Sequence, residues 1–184
     1  MTTLGYALLG LLAREPASGY DLKRQLQAPI GFFWRARHSQ IYPELARLEA
    51  IGLVTYQVVA QHDLPDKKVY TITAEGRGAL RDWVATPAEA PVVRDEVLLK
   101  TFSLWLVEPA AAVALVRDQE RRHVEQLQVY EGLHQQLVQR AGAALTHWDS
   151  PYFASYITLQ KGIGAERQYL EWCRWVVLLL EQPA

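Results

Sequence analysis

The stretch HSQIYPELARLEAIGLV, residues 38–54, decides the fold. Ser39 has the chemistry of an N-cap, and a helix starting there puts Pro43 in or beside its first turn, where a missing N–H costs least. Ile41, Leu45, Leu48 and Ile51 recur at the helical period and predict one apolar stripe. Gly52 is the natural residue to end the helix, because the left-handed backbone that closes a last turn costs glycine nothing. The opposite face carries Ser39, Pro43, Ala46, Arg47 and Ala50, with Gln40 and Tyr42 on its flanks. Such a face is nearly bare, and small residues let a helix backbone come close to the floor of a groove.

Working outward, LVTYQVVAQ and KKVYTIT are rich in β-branched residues and flank the polar turn HDLPD, which predicts a hairpin. Thr73 then caps a further helix, AEGRGALRDWV. Upstream, Thr3 to Ala13 is apolar nearly all round and reads as a buried helix, not as the core of a signal peptide, since no positive residue precedes it. Ser18 caps a second helix, GYDLKRQLQ, which Pro29 and Gly31 close. The order helix, helix, helix, strand, strand, helix is that of a winged helix-turn-helix, whose third helix docks in the major groove of DNA. Gln40 and Tyr42 stand where they can reach base edges or phosphates. Lys67 and Lys68, just past the hairpin tip, and Lys23 and Arg47 suit the phosphate backbone.

The whole-chain numbers exclude more than they assign. The 184 residues carry a net charge of −1, so overall charge names no partner. Ten Lys/Arg against eight Asp/Glu make residues 1–88 slightly basic, and nine against twelve make residues 89–184 slightly acidic. Cys173 is the sole cysteine, which rules out an intrachain disulfide and a multi-cysteine metal site and fits a reducing cytoplasm. WVVLLL, residues 175–180, is far too short to span a bilayer, so no membrane association is expected.

At these residues the chain resembles a known family. SGYDL, HSQIYPELARLEAIGLV and KKVYTITAEG look like the PadR family of bacterial transcriptional regulators. RDEVLLKTF near residues 94–102 and SPYFASYITLQKGIGAERQYLEW at 150–172 look like its longer-tailed subfamily, which includes the phenolic-acid-responsive repressor after which the family is named. The likeness covers nearly the whole chain. It implies a homodimeric DNA-binding protein, often a repressor, that a small molecule releases from a palindromic operator.

Read without that likeness, ATPAEAP (85–91) is a short linker between a DNA-binding domain, 1–88, and a helical dimerisation and effector domain, 89–184. A helix is expected from about Val93 to Leu106. Pro109 suits the first position of a long helix reaching about Leu145, and Ser150-Pro151 opens a last one reaching about Leu180. Along that last helix Tyr156, Leu159, Ile163, Glu166, Leu170, Cys173, Val177 and Leu180 recur at steps of three and four, a coiled-coil seam with Glu166 as its one violation. Leu159, Ile163, Leu170, Val177 and Leu180 are therefore candidates for a dimer interface; a closed intrachain hairpin is the alternative.

Catalytic chemistry is not assembled. The five histidines have no paired ligand spacing, no nucleophile elbow or carboxylate pair occurs, and neither a cofactor nor a metal is implied. Six tryptophans and nine tyrosines are many for a core of this size. Phe32, Phe33 and Trp34 precede the third helix, and Tyr152, Phe153 and Tyr156 open the last. Between such groups a flat aromatic acid would fit, its carboxylate met by Arg37 or His38. Plain inter-domain packing explains the same aromatics. The chain departs from the resemblance at one point: the phenolic-acid-responsive members carry a histidine in the FASY region where this chain has Ser155, so a different polar contact to the effector is expected. The competing function class is a helical dimer that uses the winged module as a protein adaptor; steep salt dependence of duplex binding separates the two.

Overall fold

The structure, a computed structural model, describes residues 1–27, 38–60, 66–90 and 94–182. The chain divides into two compact units, Met1–Ala90 and Pro91–Ala184.

The first unit contains α1 (Thr3–Leu12), β1 (Ala17–Ser18), α2 (Gly19–Gln27), α3 (His38–Ala50), β2 (Val54–Val59), β3 (Lys67–Ile72) and α4 (Ala74–Ala85). The predicted hairpin is present, with Val54 opposite Ile72 and Val59 opposite Lys67. The sheet is nonetheless three-stranded: β1 pairs antiparallel with β3, Ala17 opposite Tyr70, giving the order β1-β3-β2. Two residues carry no periodicity, so the sequence holds no signal for this strand. Leu8, Leu9 and Leu12 of α1, Leu22 and Leu26 of α2, and Ile41, Leu45 and Leu48 of α3 fill one core over Val54, Tyr70 and Ile72. Tyr6 stacks on Trp83, ring centroids 4.4 Å apart, and so pins α4 to α1.

Two expectations about the central stretch change. Ser39 is not a cap, because α3 begins at His38, and Pro43 lies inside the helix beyond its first turn. Ile51 is exposed, so the apolar stripe ends at Leu48. The cause is the turn: α3 stops at Ala50, Gly52 takes φ 75°, and Gly52 N–H and Leu53 N–H donate to the carbonyls of Glu49 and Leu48. That double closure turns the chain directly into β2. Thr73 caps α4 as predicted, accepting from Gly76 N–H at 3.0 Å.

The second unit contains α5 (Glu96–Thr101), a 3-10 turn (Leu104–Leu106), α6 (Pro109–Ala141), a second 3-10 turn (Gly142–Thr146) and α7 (Pro151–Leu180). The helix expected over 93–106 is thus broken. Asp95 caps its start by accepting from Val97 and Leu98 N–H, and the chain tightens at Leu104. Pro109 and Pro151 begin their helices as predicted, but α6 ends at Ala141, where Gly142 takes φ 49°. Helices α6 and α7 form an antiparallel hairpin, cross-linked by Arg117 to Glu181 and Arg174 to Glu120. Val116, Cys173 and Val177 form the centre of its core. Among the described residues no helix is long and apolar enough to cross a membrane.

Candidate nucleic-acid interface

The face of α3 turned from the core is what the sequence predicted. Ser39, Gln40, Tyr42, Pro43, Ala46, Arg47 and Ala50 are all exposed, while Ile41, Leu45 and Leu48 are buried. Tyr42 owes its position to α2: a Cβ on residue 19 would come within 2.5 Å of its ring, so only glycine there lets the tyrosine settle over the start of α2. Its other side remains open to solvent. Ser18 and Asp21 close the same helix start, Ser18 Oγ donating to Asp21 Oδ2 at 2.6 Å. The hydrogen bond from Ser18 holds the Asp21 carboxyl below its usual range. Lys23, on α2, is half-exposed.

In the wing, the β2–β3 register puts Lys67 opposite Val59 and Lys68 opposite Val58. Successive strand residues point to opposite faces, so the two ammonium groups diverge. Lys68 Nζ lies 3.9 Å from the centre of the Tyr56 ring, and its hydrogen bond to Tyr56 raises its pKa. Tyr56 in turn leans on Tyr70, whose hydroxyl pKa burial pushes up. Lys67 is exposed. The wing tip, residues 61–65, lies outside the described residues.

One participant was not read from the sequence. Glu44, on the inner side of α3, is 8% exposed, yet it is charged. It accepts from Thr2 Oγ1 at 2.6 Å, from Arg47 Nη2 at 2.9 Å and from Arg47 Nε at 3.3 Å. Arg47 therefore enters the exposed face already paired. The only sequence signal was an acid three residues before an arginine, a spacing found on many solvated helices.

The candidate effector residues divide. Phe32, Phe33, Trp34 and Arg37 lie outside the described residues, as does the His38 side chain. Tyr152, Phe153, Ser155 and Tyr156 occupy the first turns of α7. Ser155 Oγ donates to the Pro151 carbonyl at 3.0 Å, and Tyr156 lies 5.8 Å from the His134 ring.

The candidate dimer residues lie on the face of α7 that turns into its own hairpin. Leu159, Ile163, Leu170 and Val177 are buried within the single chain, where α6 covers the seam of α7, and Leu180 packs on the same cluster. Leu180, at the end of α7, keeps part of its surface open. The seam's violation is also explained: Glu166 meets His123 Nδ1 of α6, and the His123 ring stacks on Tyr169 at 3.8 Å. Burial raises the Tyr169 hydroxyl to about 12 and the Cys173 thiol to about 11, so both are neutral at physiological pH. Large apolar side chains stand uncovered elsewhere in this unit. Phe102 is 83% and Trp105 81% exposed, with Leu98, Leu99 and Leu106 beside them in sequence and Trp175, Leu178 and Leu179 on the outer side of α7. Among the described residues, no group of His, Cys, Asp and Glu could hold a metal ion.

Comparison with known proteins gives the same architecture. The model of the transcriptional regulator PadR-like family matches residues 8–82, and that of the virulence activator alpha C-terminal region matches residues 93–181. The negative transcriptional regulator PadR of Bacillus subtilis is 33% identical over 183 residues, covering 99% of this chain and 100% of that one. The crystal structure of B. subtilis PadR with operator DNA superposes with a TM-score of 0.86 at 32% identity, covering 98% of this chain and 100% of the other. Its complex with p-coumaric acid superposes with a TM-score of 0.81 at the same identity and coverage.

Proposed function

Since this chain belongs to the PadR-like family of transcriptional regulators, we propose that it is a homodimeric repressor that binds a palindromic operator through its winged helix-turn-helix and is released by a small aromatic acid. The observation that carries the reading is the bare, exposed face of α3 beside a wing with two divergent lysines, on a chain alike along its whole length to a negative regulator solved with operator DNA. Ser39, Gln40, Tyr42 and Pro43 fit the major groove, where Gln40 can pair with a base edge. Lys67, Lys68, Lys23 and Arg47 set register on phosphates, which carry affinity but little sequence information. A second copy supplies the second half-site.

The pairing surface follows from what one chain leaves uncovered. No residue of α5 or the following 3-10 turn is buried, although the segment is largely apolar. Contiguous exposed apolar surface of that kind marks an interaction site. Phe102, Trp105, Leu106 and the outer residues of α7 are the candidates for it. The working compartment is the cytoplasm, where operator DNA is found in bacteria.

The effector reading rests on the relative solved with p-coumaric acid. The resemblance sets Ser155 in place of a histidine of the phenolic-acid-responsive members, so we expect the polar contact to an aromatic acid to differ in this chain. Selection of bound duplexes from random DNA, followed by release assays with a panel of aromatic acids, tests both parts. A selected duplex bound with steep salt dependence and released by one acid is the expected result. Failure to enrich any duplex would overturn the reading.

A further inference from the structure

Glu44 is the one buried carboxylate on a helix whose proposed partner is a polyanion. An acid near that face would by charge alone weaken DNA binding, so its presence calls for a reason. Its surroundings supply one. The first turn of α1 contains no acidic residue of its own, and Thr2, the N-cap there, both accepts from Gly5 N–H and donates to Glu44 Oε1. A Cβ on Gly5 would stand 2.4 Å from that oxygen, so the carboxylate lies directly on the first turn of α1. It thereby faces the positive end of the α1 dipole. The same carboxylate grips Arg47 through Nε and Nη2. Burial pushes the Glu44 pKa up, but the hydrogen bonds from Arg47 and Thr2 outweigh it and hold the carboxyl below its ordinary value.

We infer that Glu44 is a positioning residue for DNA binding: anchored on the start of α1, it holds the Arg47 guanidinium in one orientation on the exposed face of α3, with Nη1 left for a phosphate. The inference rests on the DNA-binding reading above. Arg47 is 44% exposed at its side chain, and two of its three nitrogens are committed to Glu44. A guanidinium fixed in this way reaches a phosphate without first losing its rotamer freedom, which an unattached arginine or lysine cannot do.

The test uses the full chain and the duplex recovered by random selection, titrated across salt concentrations. Glu44→Gln keeps size and an acceptor for Thr2 but gives up the ion pair. Simple electrostatics predicts tighter binding when an anion leaves this face; positioning predicts weaker binding. We expect Glu44→Gln to weaken binding about five- to tenfold and to lower the salt slope by roughly one unit per subunit. Arg47→Lys, which keeps the charge and loses the fork, should do the same. In an Arg47→Ala background, Glu44→Gln should remove no further slope. Should Glu44→Gln fail to fold, Arg47→Lys carries the test, since Arg47 lies at the surface. Unchanged or tighter binding by Glu44→Gln, or a full salt slope in Arg47→Lys, would overturn the assignment while Lys67→Ala/Lys68→Ala still weakens binding. If the wild type binds no duplex in a salt-dependent way, the DNA-binding reading fails first, and this inference with it.

Discussion

The ring of Tyr42 on α3 rests where a side chain on residue 19 of α2 would otherwise stand, 2.5 Å from the position of the missing Cβ. The glycine of SGYDL and the tyrosine of QIYPEL are thus two halves of one packing arrangement. Gly19→Ala should displace the ring, destabilise the first unit by about 1–3 kcal/mol through overpacking, and weaken duplex binding along with it. Gly78, on α4, has open space around its Cβ position, so Gly78→Ala is the control and should leave binding intact. Thermal melts paired with duplex titrations read both effects. Wild-type behaviour in Gly19→Ala would remove Tyr42 from the interface.

The wing offers two cations on opposite faces of β3. Lys67→Ala/Lys68→Ala should weaken binding to every duplex about equally and flatten the salt slope by roughly one unit for each phosphate that the wing no longer neutralises. The single variants should differ, because Lys68, though as exposed as Lys67, lies over the Tyr56 ring. An unchanged slope in the double variant would place the wing off the DNA.

Gln40→Ala should relax sequence preference at one position in each half-site, at a cost of about 1–3 kcal/mol for removing a bidentate hydrogen-bond pair to a base. Titration against the selected duplex and against single-base variants of it decides between reading and positioning. A parallel decline on all sequences would make Gln40 a phosphate ligand.

Two leucines on α7 separate folding from assembly. Leu170 is 4% exposed inside the hairpin, so Leu170→Asp buries an unpaired charge and should unfold the second unit. Leu178 is 61% exposed, so Leu178→Asp should leave helicity unchanged and shift sedimentation from dimer to monomer. Operator affinity should fall with it, because two half-sites must be read together. A monomeric wild type at tens of micromolar would end the dimer model.

Acid should loosen the first unit through Glu44. Its pKa in the folded chain is depressed, so the stability it contributes is present above its unfolded value and is lost as pH falls through the folded one. Wild type should therefore lose melting temperature in that acid window more steeply than Glu44→Gln, which has no carboxyl to protonate. Identical pH profiles would mean that the carboxylate contributes nothing to the fold.

The winged module was legible because its elements each carry a local signal: the stripe of Ile41, Leu45 and Leu48, the turn at Gly52, the cap at Thr73 and the β-branched hairpin. What escaped were features that depend on a partner distant in sequence. Strand β1 exists because Tyr70 is beside Ala17, and Glu44 is buried because Thr2 is above it, forty-two residues away. The α7 seam shows the opposite case. Its period was real, but period identifies a buried face and not what buries it, and the cover is the chain's own α6. Glu166 broke the pattern for a reason only the fold supplies, the imidazole of His123.

The stretch from Leu98 to Leu106 ends with Phe102 and Trp105 facing water. A second copy that covers them binds the folded chain and not the unfolded one, so association adds to stability by mass action. On the proposed dimer the melting temperature would become a function of concentration. Dilution would weaken the fold itself, and the number of copies in the cell would set the protein's durability.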